Sequence, residues 1–154
     1  MKNEKITREE LIILWGLYEN SRATYEQLSK TCGISPVSCY NKVKSMKERG
    51  IIERFTIEVN PKALGYNLEV FMEIKCPRAI RKKIAQEISK IEGIEEVWEV
   101  TGDSDLLVHG FFVNSDDLDR FISLLIKRFP EIIDIMTRVV LHVYKDSKKP
   151  WFYR

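Results

Sequence analysis

The N-terminal third of the chain shows short stretches in which apolar residues recur at helical spacing. Thr7 precedes the first stretch, and Glu10 follows it by three residues, which is the spacing of a capping box. The pattern predicts a helix from this cap to about Asn20. Thr24 and Gln27 repeat the same spacing, so they predict the start of a second helix.

A third helix is predicted from Ser35-Pro36 to Gly50, because serine caps a helix and proline fits its first turn. Its inward-facing residues are expected to be Val43, Met46 and either Val37 or Cys39. Two short helices joined by a tight turn are the layout of a helix-turn-helix, whose second helix enters the major groove of DNA. The stretch from Thr24 to Gly50 therefore predicts a nucleic-acid-binding module.

The start of the third helix is expected to read base edges, and the lysines along it are suited to phosphates. Asn41 can bind the N6 and N7 edge of adenine, and Val37 can contact a thymine methyl group. The residues predicted to bind DNA are Ser35, Val37, Ser38, Tyr40, Asn41, Lys42, Lys44 and Lys47.

Strand-like alternation replaces helical spacing after Gly50. Residues 51–59 are rich in β-formers and predict a strand, which Asn60-Pro61 ends. Residues 61–65 predict a short turn and linker. The remaining predicted elements are strand Leu68–Lys75, helix Ala79–Ile91, strand Ile94–Val100, strand Asp105–Val113, helix Asp116–Phe129 and strand Ile132–Tyr144.

This βαββαβ order is the ferredoxin-like arrangement. Gly93 and Pro130 each follow a helix and precede a strand, so the half-repeat is visible in the sequence. The expected fold class is α+β, with a helix-turn-helix (winged-helix-like) domain followed by a ferredoxin-like βαββαβ domain. We expect residues 1–52 to form the DNA-binding domain, 53–66 a strand and linker, and 67–154 the βαββαβ domain.

The third and fourth predicted strands of the second domain carry apolar residues on both faces. Two helices cover only one face of a four-stranded sheet, and a sheet face in contact with water is normally polar. The second face is therefore predicted to meet the sheet of another subunit, in a homodimer that can extend to a tetramer or octamer. A loosely covered sheet with scattered apolar surface residues is the alternative.

Charge separates the two halves of the chain. Residues 1–66 hold 11 Lys and Arg against 8 Asp and Glu, whereas residues 67–144 hold 10 against 14. The corresponding net charges are +3 and −4, and residues 145–154 add +3. Double-stranded DNA would be attracted to the first module and repelled by the second.

Composition excludes several classes of protein. No apolar run approaches the roughly 18 residues that a membrane span needs, and the N-terminus lacks a secretory signal, so a cytoplasmic protein is expected. Cys32, Cys39 and Cys76 form no C-x-x-C pair and are expected to be buried or incidental thiols. His109 and His142 are expected to pack rather than to bind a ligand. No metal and no other cofactor is predicted.

The order and spacing of several motifs resemble the Lrp/AsnC (feast/famine) transcriptional regulators over nearly the whole chain. The N-terminal motifs are Ile13-Leu14, Ser35-Pro36, Gly50-Ile51-Ile52, Asn60-Pro61 and Leu64-Gly65-Tyr66. The C-terminal motifs are Ile91-Glu92-Gly93-Ile94, Thr101 to Leu107 and Thr137 to Leu141. The resemblance implies a DNA-binding dimer and a small effector, commonly an amino acid, bound where C-terminal domains of different dimers meet.

The residues expected to bind this effector are Thr101, Gly102, Asp103, Ser104 and Asp105. Gly102 lets a ligand approach the backbone closely, while the aspartates can bond an amino group. Free N–H groups in the turn can hold a carboxylate. The alternative is that Asp and Gly are here only because they favour turns.

The chain departs from the family pattern in three places. Thr7 and Glu10 stand where an acidic pair is usual, which affects little. Asn41-Lys42 replaces an arginine pair in the recognition helix, so a different DNA sequence is expected. Ser104 replaces the aromatic residue of a Gly-x-aromatic-Asp motif, which leaves the effector open.

Two other functions stay open at this point. An architectural DNA-binding protein without an effector would show weak sequence preference. An enzyme resembling the siroheme decarboxylases would share the two-module layout but carry extra histidines, which the loop TGDSDLL lacks. The aromatic tail with Trp151 and Phe152 either packs on a neighbouring subunit or forms a disordered end.

Overall fold

The computed structural model describes residues 5–144, which fall into two compact units that divide after Glu58. The tail that contains Trp151 and Phe152 lies outside the described residues. Within the described part of the chain, no helix has the length and apolar character needed to cross a membrane.

The first unit contains the three predicted helices, which are α1 (Arg8–Glu19), α2 (Tyr25–Cys32) and α3 (Pro36–Glu48). Capping residues set their starts. Thr7 and Glu10 form a complete capping box, as do Thr24 and Gln27, while the Ser35 hydroxyl accepts the N–H of Ser38 at the start of α3. These local bonds satisfy N–H groups that the helix itself leaves unpaired, which is why the sequence predicted them correctly.

A small apolar core holds the three helices together. Its fully buried residues are Ile13, Leu28, Cys39, Val43 and Met46. Cys39, rather than Val37, is therefore the inward residue near the start of α3.

The described chain forms no strand over residues 51–59, where the sequence predicted one. Among the described residues of this unit there is no strand to pair with this segment, and Phe55, Ile57 and Val59 are exposed. A β-rich pattern predicts an extended backbone, whereas a strand also needs a neighbour to accept its hydrogen bonds.

The second unit starts with a 3₁₀ turn at Pro61–Leu64 and continues with four strands and two helices. In chain order these are β1 (Leu68–Lys75), α4 (Arg78–Ile88), β2 (Ile94–Glu99), β3 (Leu106–Phe112), α5 (Ser115–Arg128) and β4 (Asp134–Val139). The strands form one antiparallel sheet in the order β2-β3-β1-β4, which is the ferredoxin-like topology.

The last strand is shorter than predicted. β4 ends at Val139, and the prediction that it reaches Tyr144 is wrong. Beyond β4, the N–H of Val140 still donates to the carbonyl oxygen of Glu69 in β1 at 2.9 Å, whereas Leu141 and Tyr144 are mostly exposed.

The helices cover one face of the sheet and leave the other open. Residues Val70, Met72 and Ile74 of β1 point into the core, together with Leu106 and Val108 of β3. The alternate residues of the same strands point to the open face. This face, here called the open sheet face, is formed by Glu69, Phe71, Glu73, Glu96, Trp98, Leu107, His109, Phe111, Met136 and Arg138.

Candidate DNA-binding helix and effector loop

One side of α3 is buried and the opposite side is free. Cys39, Val43 and Met46 have almost no exposed surface, so they fix which way the helix turns. Since residues three or four apart share a helix face, these three anchors lie on one side of α3, and the positions that do not share their spacing turn away from the core. The packing therefore decides which of the predicted DNA-binding residues lie together.

Five of the eight predicted DNA-binding residues lie on the exposed side of α3. Val37 and Asn41 follow i, i+4 spacing and form one stripe. Tyr40, Lys44 and Lys47 follow i, i+4, i+7 spacing and form the neighbouring stripe. Val37 is 69% exposed and Tyr40 47%, although both are apolar in character.

The other three predicted DNA-binding residues lie elsewhere. Ser35 is exposed at the N-cap, where its hydroxyl is already bonded to the N–H of Ser38 at 3.1 Å. Ser38 is half-buried on the far flank of the helix. Lys42 is half-buried toward α1, with its Nζ 3.9 Å from a carboxylate oxygen of Glu9. The structure thus separates Lys42 from Lys44 and Lys47.

Two aromatic residues that the sequence reasoning missed stand beside the second stripe. The Tyr25 ring meets the Tyr40 ring edge to face, with centroids 5.4 Å apart. The Lys47 ammonium lies 5.7 Å from the centroid of the Phe55 ring. These side chains, with Lys44, line a groove of about 450 Å³, here called the aromatic groove. The alternation of residues 51–59 could have pointed to Phe55 as a residue of one exposed side.

A buried ion pair holds α3 to α1. Arg49, at the C-terminal cap of α3, donates from Nη1 to Oε1 of Glu10 at 2.6 Å. Oε2 of Glu10 accepts the N–H of Thr7 at 2.7 Å. Burial works to raise the pKa of Glu10, but the Thr7 N–H and the Arg49 guanidinium together lower this pKa below its ordinary value. Glu10 is therefore a charged anchor inside the module.

The predicted effector loop connects β2 and β3. Thr101, Gly102 and Asp103 are exposed, and Gly102 has a φ of 120°, which favours glycine. Ser104 is half-buried and donates from its hydroxyl to Oε2 of Glu73 at 3.0 Å. The loop thus has an open tip and a bonded base.

Asp105 stands at that base and is already satisfied within the chain. Its Oδ2 accepts the N–H of Cys76 at 2.8 Å, and its Oδ1 pairs with the Arg81 guanidinium. Arg81 also donates to Glu99 at 2.8 Å. The structure therefore leaves Asp103 as the carboxylate at the loop tip, and makes Asp105 an anchor of the loop.

Glu73 and Arg138 join the loop to the open sheet face, and the sequence reasoning missed both. Arg138 donates from Nε to Oε1 of Glu73 at 2.8 Å across two adjacent strands. The bonds from Arg138 and Ser104 hold the pKa of Glu73 below its ordinary value. The two residues are 65 positions apart, so only the strand register brings them together.

The open sheet face combines aromatic rings with carboxylates. His109 stacks on Phe71 with centroids 4.5 Å apart, and its ring nitrogens lie 2.9 Å from Glu69 and 3.4 Å from Glu95. His109 thus packs, as expected, but within a polar cluster. The prediction that both sheet faces are apolar is accordingly only partly correct.

Neither a reactive thiol nor a metal centre is found among the described residues. Cys39 and Cys76 are buried and Cys32 is half-buried, and desolvation raises the pKa of each thiol. Over residues 5–144, no group of three or more His, Cys, Asp or Glu is placed to hold a metal ion.

Comparison with known families agrees with both units. A winged helix-turn-helix DNA-binding model matches residues 2–53, and the Lrp/AsnC ligand binding domain matches residues 69–150. The chain is 33% identical over 131 residues to the HTH-type transcriptional regulator FL11 of Pyrococcus abyssi, with 85% of this chain and 86% of that one covered. The chain belongs to the Lrp/AsnC family of transcriptional regulators. It is accordingly a DNA-binding regulator with an α+β fold, as the sequence predicted.

Solved structures show the same fold as this Lrp/AsnC regulator. AsnC of E. coli superposes with a TM-score of 0.85 at 27% identity, covering 95% of this chain and all of that one. A transcriptional regulator of Neisseria meningitidis in complex with L-Met gives a TM-score of 0.87 at 22% identity, covering 95% and 97%. The second likeness, at this low identity, concerns the fold alone.

Proposed function

We propose that this Lrp/AsnC regulator binds its operator with the exposed side of α3 in the major groove and responds to an amino acid. The observation that carries the proposal is the position of Val37 and Asn41 beside Lys44 and Lys47 on one unobstructed helix side. Asn41 would read an adenine and Val37 a thymine methyl, while the two lysines neutralise phosphates. Ser35, Ser38, Tyr40 and Lys42 complete the predicted contacts from the start and the edges of the helix.

A dimer is part of the proposal, because one helix alone binds DNA weakly. The open sheet face offers Phe71, Leu107 and Phe111 for burial against a second copy, and Trp98 is 38% exposed there. Two recognition helices about 34 Å apart would meet successive major grooves. The proposed operator is therefore a rough palindrome with half-sites about one turn apart. Sedimentation of the full chain as a monomer at micromolar concentration would contradict this part.

The experiment that tests DNA binding compares two lysines. Lys44→Ala should weaken binding to all sequences and reduce the slope of log K against log salt by about 1, since one phosphate contact is lost. Lys30→Ala is the matched control, because Lys30 is also mostly exposed, on α2, and pairs with Glu26 as Lys44 pairs with Glu48. Equal salt slopes for the two variants would show that Lys44 does not contact phosphate.

Base reading needs a separate test. Asn41→Ala should cost about 1 to 3 kcal/mol on the operator and little on unrelated DNA. Footprinting on genomic fragments distinguishes regulation from packaging, because a regulator protects discrete sites whereas an architectural protein covers DNA uniformly. Uniform coverage of the DNA, together with an unchanged affinity of Asn41→Ala, would favour the architectural alternative.

The effector part of the proposal uses the exposed loop tip. Asp103 would bond the amino group and the free N–H groups near Gly102 the carboxylate, while Ser104 and Asp105 hold the loop in place from its base. Support comes from solved relatives in complex with L-Met, from Neisseria meningitidis and from M. tuberculosis. The boundaries 1–52, 53–66 and 67–154 belong to the same proposal, with the effector site in the last segment.

Thermal unfolding in the presence of each of the twenty amino acids tests this part. A ligand that binds only the folded protein raises its melting temperature. Asp103→Asn should abolish that rise without changing the melting temperature of the ligand-free protein, because Asp103 is exposed. If no amino acid stabilises the wild-type protein, the amino-acid response is refuted.

A further inference from the structure

The aromatic groove is a feature that the proposed reading of bases does not use. Tyr25, Tyr40 and Phe55 are 40%, 47% and 48% exposed, and none of them belongs to the core of the three-helix unit. Three half-exposed aromatic rings around one groove leave a sizeable apolar surface in contact with water. Such a surface on a small module is typical of a contact with a partner.

The walls of the groove are held in place before any partner arrives. The edge-to-face contact of Tyr25 with Tyr40 fixes one wall, and the Lys47 ammonium over the Phe55 ring orients the other. Lys44 stands at the rim, 4.0 Å from Glu48, in an ion pair whose members are both mostly exposed. An exposed pair of this kind is weak, so Lys44 is free to turn to a stronger anion.

The position of the groove on the helix indicates its occupant. Tyr40, Lys44 and Lys47 form the stripe next to the one that carries Val37 and Asn41. If the stripe of Val37 and Asn41 points at base edges, the stripe of Tyr40, Lys44 and Lys47 faces one wall of the major groove. That wall is the sugar-phosphate backbone of a DNA strand.

We propose that the aromatic groove binds the sugar-phosphate backbone of DNA, with one deoxyribose against Phe55 and Tyr25 and its phosphate on Lys44 and Lys47. This inference rests on the proposed use of α3 in the major groove and adds Tyr25 and Phe55 to the DNA-binding residues. The groove is lined by the aromatic rings, by Lys44 and Lys47, and by Glu48, which pairs with Lys44. The rings and the two cations match a deoxyribose, whose C–H face is apolar and whose phosphate is charged. The contact strengthens binding equally on all sequences, because the backbone carries no base information.

The test measures DNA affinity and hydroxyl-radical footprints for the full-length protein with Phe55→Ala and Phe55→Leu. Ile57→Ala is the matched control, because Ile57 lies two residues from Phe55 in the same segment and is 78% exposed but does not line the groove. Phe55→Ala should weaken binding about tenfold on operator and unrelated DNA alike, since about half of one ring loses its apolar partner. The salt slope should stay unchanged because no charge is removed, and Phe55→Leu should fall between Phe55→Ala and the wild type.

The footprint locates the contact directly, since hydroxyl radicals attack deoxyribose. Phe55→Ala should lose protection of the sugars that flank each half-site and keep the protection over the half-site itself. Equal affinity of Phe55→Ala and Ile57→Ala, or an unchanged footprint, would overturn the inference. Conversion of Phe55→Ala to a monomer in sedimentation would also overturn it, because the groove would then be a protein contact.

The two proposals fail in different ways. If the wild-type protein binds no DNA fragment, the proposed function itself is refuted. If the wild-type protein binds and Lys44→Ala weakens it while Phe55→Ala has no effect, only the role of the aromatic groove is refuted.

Discussion

The buried ion pair between Glu10 and Arg49 should decide the stability of the DNA-binding module. Replacement Arg49→Met leaves the Glu10 carboxylate in a site where its residue is 4% exposed. The variant loses the bond from the Arg49 guanidinium, while the bond from the Thr7 N–H at 2.7 Å remains. The variant therefore tests how much a recognition helix depends on one contact at its far end.

Removal of one partner from a buried pair costs about 3 to 5 kcal/mol. The Arg49 side chain is 24% exposed, so water can reach Glu10 once the guanidinium is gone, and we expect the lower end of that range. A module of this size has a total stability of only about 3 to 8 kcal/mol. Arg49→Met should therefore leave much of the module unfolded near physiological temperature and weaken DNA binding with it.

Hydrogen exchange read by mass spectrometry measures this effect separately for each unit. Peptides from α1 and α3 should lose most of their protection in Arg49→Met, whereas those of the sheet should not change. Lys30→Met is the matched control, because it breaks a mostly exposed ion pair and should cost less than about 0.5 kcal/mol.

A double variant gives the decisive comparison. Glu10→Met with Arg49→Met removes both charges, so it should be more stable than Arg49→Met alone. A loss below about 1 kcal/mol in Arg49→Met, or a double variant that loses the sum of both single effects, would refute the reasoning.

The same pair predicts a pH dependence. Because the folded protein lowers the pKa of Glu10, the resulting stability is present above the ordinary glutamate pKa. It is lost as the pH falls through the lower folded value. Arg49→Met removes one of the groups that lower the pKa, so its acid unfolding should begin at a higher pH than that of the wild type.

Two further predictions concern the second unit. A Cβ on Gly93 would lie 2.4 Å from the carbonyl oxygen of Phe111, so Gly93→Ala should lower the free energy of unfolding in urea by about 3 kcal/mol. Gly65→Ala is the control and should lower it by about 1 to 2 kcal/mol, because φ is also positive there but no atom lies close. Equal losses would contradict the close approach at Gly93. Arg138→Leu should raise the pKa of Glu73 in an NMR titration, because it removes the hydrogen bond that lowers this pKa most. An unchanged pKa would show that the two side chains do not meet in solution.

The sequence alone determined what depends on neighbouring residues. Thr7 with Glu10, and Thr24 with Gln27, predicted the helix starts correctly, because a capping box closes within four residues. The positions of Val43 and Met46 predicted the inward side of α3, since a helix fixes the direction of each side chain. The order of strands and helices also predicted the ferredoxin-like unit correctly.

Only the tertiary structure decided what depends on distant partners. Residues 51–59 have the composition of a strand but pair with no strand of the described chain, so composition alone could not decide their structure. The roles of Asp105 and Glu73 follow from Arg81 and Arg138, which the sheet register and helix packing bring within hydrogen-bond distance. Lys42 and Lys44 look equivalent in the sequence, yet the core turns one toward Glu9 and leaves the other on the exposed side. Caps and spacings are local and can be read along the chain, whereas pairing energies act between residues that meet only after folding.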